Sequence, residues 1–538
     1  MTRHISLAGW LGKRAMVTLL VGLSASPIFA EEGVEILRER CAACHTETTT
    51  AEESAYFSRI SDQRKTPEGW QMTINRMIHL RGIEIPKEEK RSLVQHLADT
   101  QGLAPDETEG FRYLLEQDNN RVEAGIDPDL EQMCARCHSA ARVGLQRRTE
   151  QEWQYLVNFH MGQFPTTELH AMARDREWYR LAHDELAPKL AERYGLKSEA
   201  WEEWLSQEKP LLKGSWRVLG FIPGKGEYDG RMTATPDEDG NGFMLQMKGR
   251  YADGSPLEGE GHARVFTGYE WRGTLMLGDV EMRQVLAADA EGETLRGRMF
   301  LADSRRLGGE MNAYKDHGGA EILGIQPGYL RLGESGEVTL IGQHLSGEVS
   351  LGEGVRVEEV LERSDDRIRM RISAAPEVSP GARDVTVGEA TGDSILAVYD
   401  RLARLEVEPT NALARVGGNG GQLDKMRVAF RAVGYAAGAD GEVGTDDDLR
   451  LGYMPADWSI IPADEAAAHE QDAEYAGTID AHGIFTPGDA GPNPERPKSA
   501  NNVGRLKAVA TVDDGADQLS GESRLLVAVQ DYVQRVLD

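Results

Sequence analysis

Two short runs constrain this chain more than anything else in it: Cys41-Ala42-Ala43-Cys44-His45 and Cys134-Ala135-Arg136-Cys137-His138. Each is a Cys-x-x-Cys-His run, the spacing at which two thiols add to the vinyl groups of a haem while the next imidazole ligates its iron. Zinc ribbons and redox disulfides also use Cys-x-x-Cys pairs, but neither requires a His directly after each pair. The chain holds four cysteines, and these two runs use all of them. The reading is a dihaem cytochrome c region. Cys41, Cys44, Cys134 and Cys137 hold two covalent haems, and His45 and His138 are the proximal ligands.

The chain's start and its charge fit that chemistry. Residues 1–30 carry Arg3, Lys13 and Arg14, then the apolar run Met16 to Ala25, then small residues ending at Ala30. This predicts a secretory signal peptide. Its apolar core is shorter than the roughly 20 residues of a membrane span, and no later stretch approaches one. The expected location is the periplasm, an oxidising compartment suited to thioether attachment. The formal net charge of −29 becomes about −32 without the leader, which argues against nucleic acid as a partner and for solubility.

Residues 31–206 read as helical, in two modules of about 31–105 and 106–206. Leu93, Val94 and Leu97 show helical spacing, and so do Trp178, Leu181 and Leu186. A repeat inside these modules suggests where each iron finds its sixth ligand. Trp70-Gln71-Met72-Thr73-Ile74-Asn75-Arg76-Met77 aligns with Trp153-Gln154-Tyr155-Leu156-Val157-Asn158-Phe159-His160, matching Trp, Gln and Asn. Met77 then stands opposite His160. The expected pairs are His45/Met77 and His138/His160, with His79 and Met161 as alternates; a Met at helical spacing is more often core packing. Methionine raises a haem's potential relative to a second histidine, so electrons entering at the second haem would run to the first. An open sixth position would instead indicate peroxide or oxygen chemistry.

Beyond Lys209-Pro210 helical periodicity gives way to alternating runs between Gly-rich turns. At 211–316, Val265, Tyr269, Trp271, Leu275 and Leu277 share one parity, and Arg264, Glu270 and Arg272 take the other. This predicts an antiparallel β-barrel with one face in the core and one in water. Residues 320–401, with Ile325-Gln326-Pro327-Gly328 and Val338-Thr339-Leu340-Ile341-Gly342, resemble immunoglobulin-like sandwiches of the IPT type. Residues 402–538 read as a further β-sandwich. Its loop Asp440-Gly441-Glu442-Val443-Gly444-Thr445-Asp446-Asp447-Asp448 offers acidic oxygens that could hold calcium, although EF-hand spacing is missing and solvated acidic turns are common. The stretch Pro487 to Asn502 predicts an irregular excursion.

A signal peptide, two Cys-x-x-Cys-His modules with the Trp-Gln repeat, and three successive β domains together resemble the α subunit of quinohaemoprotein amine dehydrogenase. The resemblance covers the whole mature chain. It implies a heterotrimer of this dihaem subunit, a β-propeller subunit and a small subunit carrying a cysteine tryptophylquinone. Primary amine would be oxidised to aldehyde and ammonia at that quinone, with electrons passing through the two haems to a periplasmic copper protein or cytochrome c. The cysteine count agrees with this, since no cysteine remains here to form the quinone. No catalytic residue of the amine chemistry is expected in this chain. The alternative is a freestanding dihaem carrier or haem peroxidase with appended β modules.

Overall fold

The structure, a computed structural model, describes residues 27–530 apart from 50–54, 119, 170–173, 239–241, 421–422, 439, 497–500 and 516–517. The expected leader up to residue 26 lies outside the described residues.

The haem region begins with helix α1 (Pro27–Arg40), which runs directly into the first cysteine pair. Short strands β1 (Glu47–Thr49), β2 (Ala55–Phe57) and β3 (Gln63–Lys65) follow, then α2 (Pro67–Arg81) and α3 (Lys87–Thr100). The start of α2 is set locally. Thr66 caps it by accepting from the Gly69 amide, and Pro67 supplies a φ already suited to a first turn. Gly82, at φ 69°, ends it in the left-handed conformation that costs glycine little. Strand β4 (Gln146–Arg148) and helix α4 (Glu150–Gln163) repeat the design, with Thr149 accepting from the Glu152 amide.

Each module has its own core. Ile36, Leu37, Trp70, Ile74, Leu93, Val94 and Leu97 pack together in the first, and Leu130, Trp153, Leu186, Leu190 and Tyr194 in the second. The crossing of α1 and α3 needs Gly33, because a Cβ there would lie 2.3 Å from the His96 ring. The expected all-α region is corrected in one respect. It contains two two-stranded ladders, β1–β2 and β3–β4. The second ladder joins the modules, pairing Gln63 with Arg148, Arg64 with Arg147 and Lys65 with Gln146. Three-residue strands leave too little hydrophobic pattern to be read in advance.

Eight strands between Gly214 and Lys315 form a closed antiparallel barrel in which each strand pairs with its sequence neighbour and the last returns to the first. Closure removes both sheet edges. The interior is filled by Trp216, Met232, Met247, Trp271, Met299 and Met311, and Trp201 and Trp204 of the helix Glu199–Ser206 pack into the same cluster. The expected alternation holds inside the barrel, but the outer face is not all in water. Glu270 is fully buried, and Arg272 pairs with both Glu270 and Glu68 of α2. The haem region covers that face.

Between Glu321 and Tyr399 two four-stranded sheets enclose Leu340, Ile368, Met370, Val385, Leu396 and Val398. The C-terminal unit is more elaborate than one sandwich. One four-stranded and two three-stranded sheets share a core with two short helices, Glu465–His469 and Asp472–Tyr475. The Pro487–Asn502 excursion is tied down by Arg496, which is buried and donates to the carboxylate of Asp472 and to the carbonyls of Glu470, Asn501 and Val503. No helix among the described residues is long and apolar enough to cross a membrane.

Candidate haem sites

None of the four cysteines is in a disulfide; Cys44 and Cys137 are exposed, and Cys41 and Cys134 are half-buried. Burial pushes the Cys41 thiol up and the Cys134 thiol up to about 12. The two histidines that follow the cysteine pairs, His45 and His138, are oriented in the same way. His45 Nδ1 lies 2.8 Å from the Ser58 carbonyl, and His138 Nδ1 lies 2.9 Å from the Ser139 carbonyl. A carbonyl only accepts, so each Nδ1 carries the proton and each Nε2 is the unprotonated ring nitrogen.

The loop that orients His138 is itself pinned. Glu123 accepts from Ser139 Oγ at 2.5 Å, from the Ala140 amide at 3.0 Å and from the Tyr113 hydroxyl. Burial raises the Glu123 carboxyl, but the hydrogen bonds from Ser139 and Tyr113 outweigh it and hold the group below the usual range. The equivalent loop of the first module gets its shape from the β1–β2 ladder, with the Ser58 amide donating to Thr46 O at 3.0 Å. Glu123 was missed from the sequence because a carboxylate 15 residues before its histidine carries no spacing signal.

On the distal side the structure brings His138 and His160 together. Their ring centroids are 6.5 Å apart, and His160 Nδ1 donates to Leu156 O at 2.8 Å, again leaving Nε2 as the unprotonated nitrogen. Two imidazoles that ligate one metal from opposite sides, with bonds of about 2 Å each, put their centroids about 6 Å apart. Burial, then the charges of Arg76 and Arg148, lower the His160 pKa and favour the neutral, ligating form. The alternate Met161 packs instead against the Val157, Trp178 and Ala182 cluster. In the first module Met77 is half-buried on α2 and the alternate His79 is exposed.

The repeat is longer than the sequence comparison took it to be. Gln63-Arg64-Lys65-Thr66 precedes the first Trp as Gln146-Arg147-Arg148-Thr149 precedes the second, and these are the stretches that pair as β3 and β4. Arg64 and Arg147 face each other across that ladder and share one carboxylate. Glu107 accepts from Arg64 at 2.8 and 2.9 Å and from Arg147 at 2.9 Å, and all three side chains are buried. The ladder is thus locally two-fold symmetric, with a buried ion triad at its centre.

The acidic loop of the C-terminal unit is turned on itself. Asp440 accepts from the Glu442 amide, Asp447 from the Asp440 amide and the Thr445 hydroxyl, and Asp448 from the Gly444 amide. Among the described residues no three His, Cys, Asp or Glu side chains converge on a metal position there or elsewhere.

Comparison with known proteins reaches the same region first. The family model described as quinohaemoprotein amine dehydrogenase A, alpha subunit, haem binding, matches residues 31–201. The models for domains II, III and IV of the same subunit match residues 209–316, 319–400 and 405–537. No curated protein matches. Among solved structures, a redesigned β-barrel is 17% identical over 20% of this chain and 92% of its own, with a TM-score of 0.18. Drosophila N-cadherin EC1-3 is 10% identical over 46% of this chain and 86% of its own, with a TM-score of 0.20. With matches in chain order from the haem region to the C-terminal unit, the chain belongs to the family of quinohaemoprotein amine dehydrogenase α subunits.

Proposed function

We propose that this chain is the dihaem electron-transfer subunit of a periplasmic amine dehydrogenase. The observation that carries the reading is the pair His138 and His160, with ring centroids 6.5 Å apart and each Nδ1 proton donated to a backbone carbonyl. Cys134 and Cys137 would hold one haem between these imidazoles; Cys41 and Cys44 would hold the other against His45, with Met77 as its sixth ligand. When bound, the haems supply one-electron oxidation and reduction. The chain's own residues orient the ligands, keep His160 neutral and bury the distal side of the second site beneath Trp178, whose ring centroid is 5.8 Å from that of His160.

Amine oxidation itself is assigned to a cysteine tryptophylquinone on a small partner subunit, in a complex that also contains a β-propeller subunit. A copper protein or cytochrome c is the external acceptor. The cysteine count supports this division, because all four cysteines lie in the two Cys-x-x-Cys-His runs. The test is optical. Primary amine added without oxygen to the intact complex should reduce the haem bands, while the isolated chain should stay oxidised. Failure of amine to reduce the intact complex would overturn the reading. A high-spin, five-coordinate haem that reacts with peroxide would favour a peroxidase.

A further inference from the structure

The outer face of the barrel carries a group of soft donors that the haem chemistry does not use. Among the described residues only two methionines are exposed, Met244 at 58% and Met276 at 41%, and both stand beside one exposed histidine, His262. The three lie on consecutive barrel strands, Gly242–Tyr251, Pro256–Phe266 and Glu270–Leu277. Register brings them together. Met244 is the direct cross-strand partner of His262, and His262 is in turn the partner of Thr274, two residues before Met276. Directly opposite residues hold their Cβ atoms about 4.5–5.5 Å apart and diagonal ones roughly 7–8 Å, within reach of long side chains. Period two puts all three on the face away from Leu245, Ala263 and Leu275, which are buried in the barrel core.

The surroundings favour a cation. Met276 is flanked across the sheet by Glu260 on one side and Glu281 on the other, both exposed. Arg283, the partner of Thr274 on the next strand, is turned to Glu281 at 3.1 Å and to Thr274 Oγ1 at 2.9 Å. The His262 ring has no hydrogen-bond partner among the described residues, so both of its nitrogens face water. An exposed thioether gains little from water, and two of them on either side of one imidazole make a donor set of a particular kind. Thioether sulfur is a soft donor that selects copper(I), and imidazole suits copper as well, whereas calcium and magnesium take oxygen.

We propose that Met244, His262 and Met276 form a binding site for copper(I) on the outside of the barrel, with two thioether sulfurs and one imidazole nitrogen as ligands. The assignment is independent of the dihaem reading. Barrel closure fixes the three strands before the metal arrives, so binding needs side-chain rotation alone, which keeps its ordering cost low. Both methionines and the histidine are exposed, so one side of the ion stays open to a donor from another molecule. Such a site takes up copper and hands it on by ligand exchange rather than storing it.

The experiment is equilibrium dialysis of the full chain under nitrogen against chelator-buffered copper(I), with bound metal counted for wild type, for the double variant Met244→Leu with Met276→Leu, and for His262→Gln. Copper held by the cysteine pairs is common to all three and cancels in the difference. The expected result is one more copper per chain in wild type than in either variant, and no such difference with calcium. Equal copper in wild type and the double variant would overturn the proposal. If a variant fails to fold, X-ray absorption at the copper edge of wild type labelled with selenomethionine serves instead. Selenium and imidazole neighbours at the copper support the proposal; nitrogen and oxygen neighbours alone overturn it.

Discussion

The two haem modules are built on the same Gln-Arg-cation-Thr and Trp-Gln frame but are finished differently. In both, a Thr cap starts the distal helix, a Trp is buried beneath it and a cation, Lys65 or Arg148, stacks on that Trp. The first module orients its proximal His through a strand ladder, the second through Glu123. The first leaves its cation without a carboxylate, while the second supplies Glu152. Duplication fixes the frame, and single substitutions within it give each site its own electrostatics.

The strongest way to break the comparison is to remove what the modules share. Glu107→Ala leaves Arg64 and Arg147 buried without their anion, and should cost about 3–5 kcal/mol of stability in denaturant titration. Both modules should loosen together; unfolding of one alone would show that the triad is not a joint support. Burial raises the Glu107 carboxyl, but the Arg64 hydrogen bonds and the Arg147 charge hold it below its usual range.

A second prediction concerns α3, whose C-terminal carbonyl at Gln101 accepts from the Trp70 indole as Tyr194 O, at the end of the helix Ala187–Arg193, accepts from Trp153. Burial lowers the His96 pKa to about 4, and burial raises that of Asp99 to about 6. For His96 the folded value is depressed, so acidification protonates the unfolded chain first, and stability is lost as pH falls from about 6.5 to 4. For Asp99 the folded value is raised, so the folded chain takes the proton first and stability is gained from pH 6 to 4. The two offset each other. Asp99→Asn should uncover the His96 effect, a loss of about 3 kcal/mol on acidification of the first module. A flat pH profile of the variant's denaturation midpoint would count against this account.

Gly69→Ala sharpens the contrast at the equivalent of Glu152. The new methyl meets the Lys65 stem at 2.9 Å and should cost about 1–3 kcal/mol, measured by thermal or denaturant unfolding. Glu152→Ala removes a partner of Gln63, Arg59 and Arg148 and should lower the stability of the joint between modules without a clash. The smallest effect belongs to Arg59→Ala. This side chain is about half exposed, so its bond to Glu152 at 2.7 Å should be worth no more than about 1 kcal/mol. A loss several times larger would mean that the joint depends on Arg59 rather than on the buried ladder.

The haem-binding region was legible in the sequence, because the two Cys-x-x-Cys-His runs are made of adjacent residues whose spacing does not depend on the fold. The same holds for α2 and α4, whose caps and Trp positions lie within a few residues of one another. The equivalent positions of Met77 on α2 and His160 on α4 were legible for that reason. Features that join distant parts of the chain were not. Glu107 gathers Arg64 and Arg147 from 43 and 40 residues away, and Glu68 neutralises Arg272 from 204 residues away. The outer face of the barrel at Glu270 and Arg272 reads as solvent-facing because period-two alternation says which residues share a face and not what covers it. Tertiary structure alone decided which polar groups lost their water, and therefore which charges had to be paired. Lys65 stands out only there, since a buried lysine without a carboxylate partner cannot be recognised until the neighbours that exclude water from it are in place.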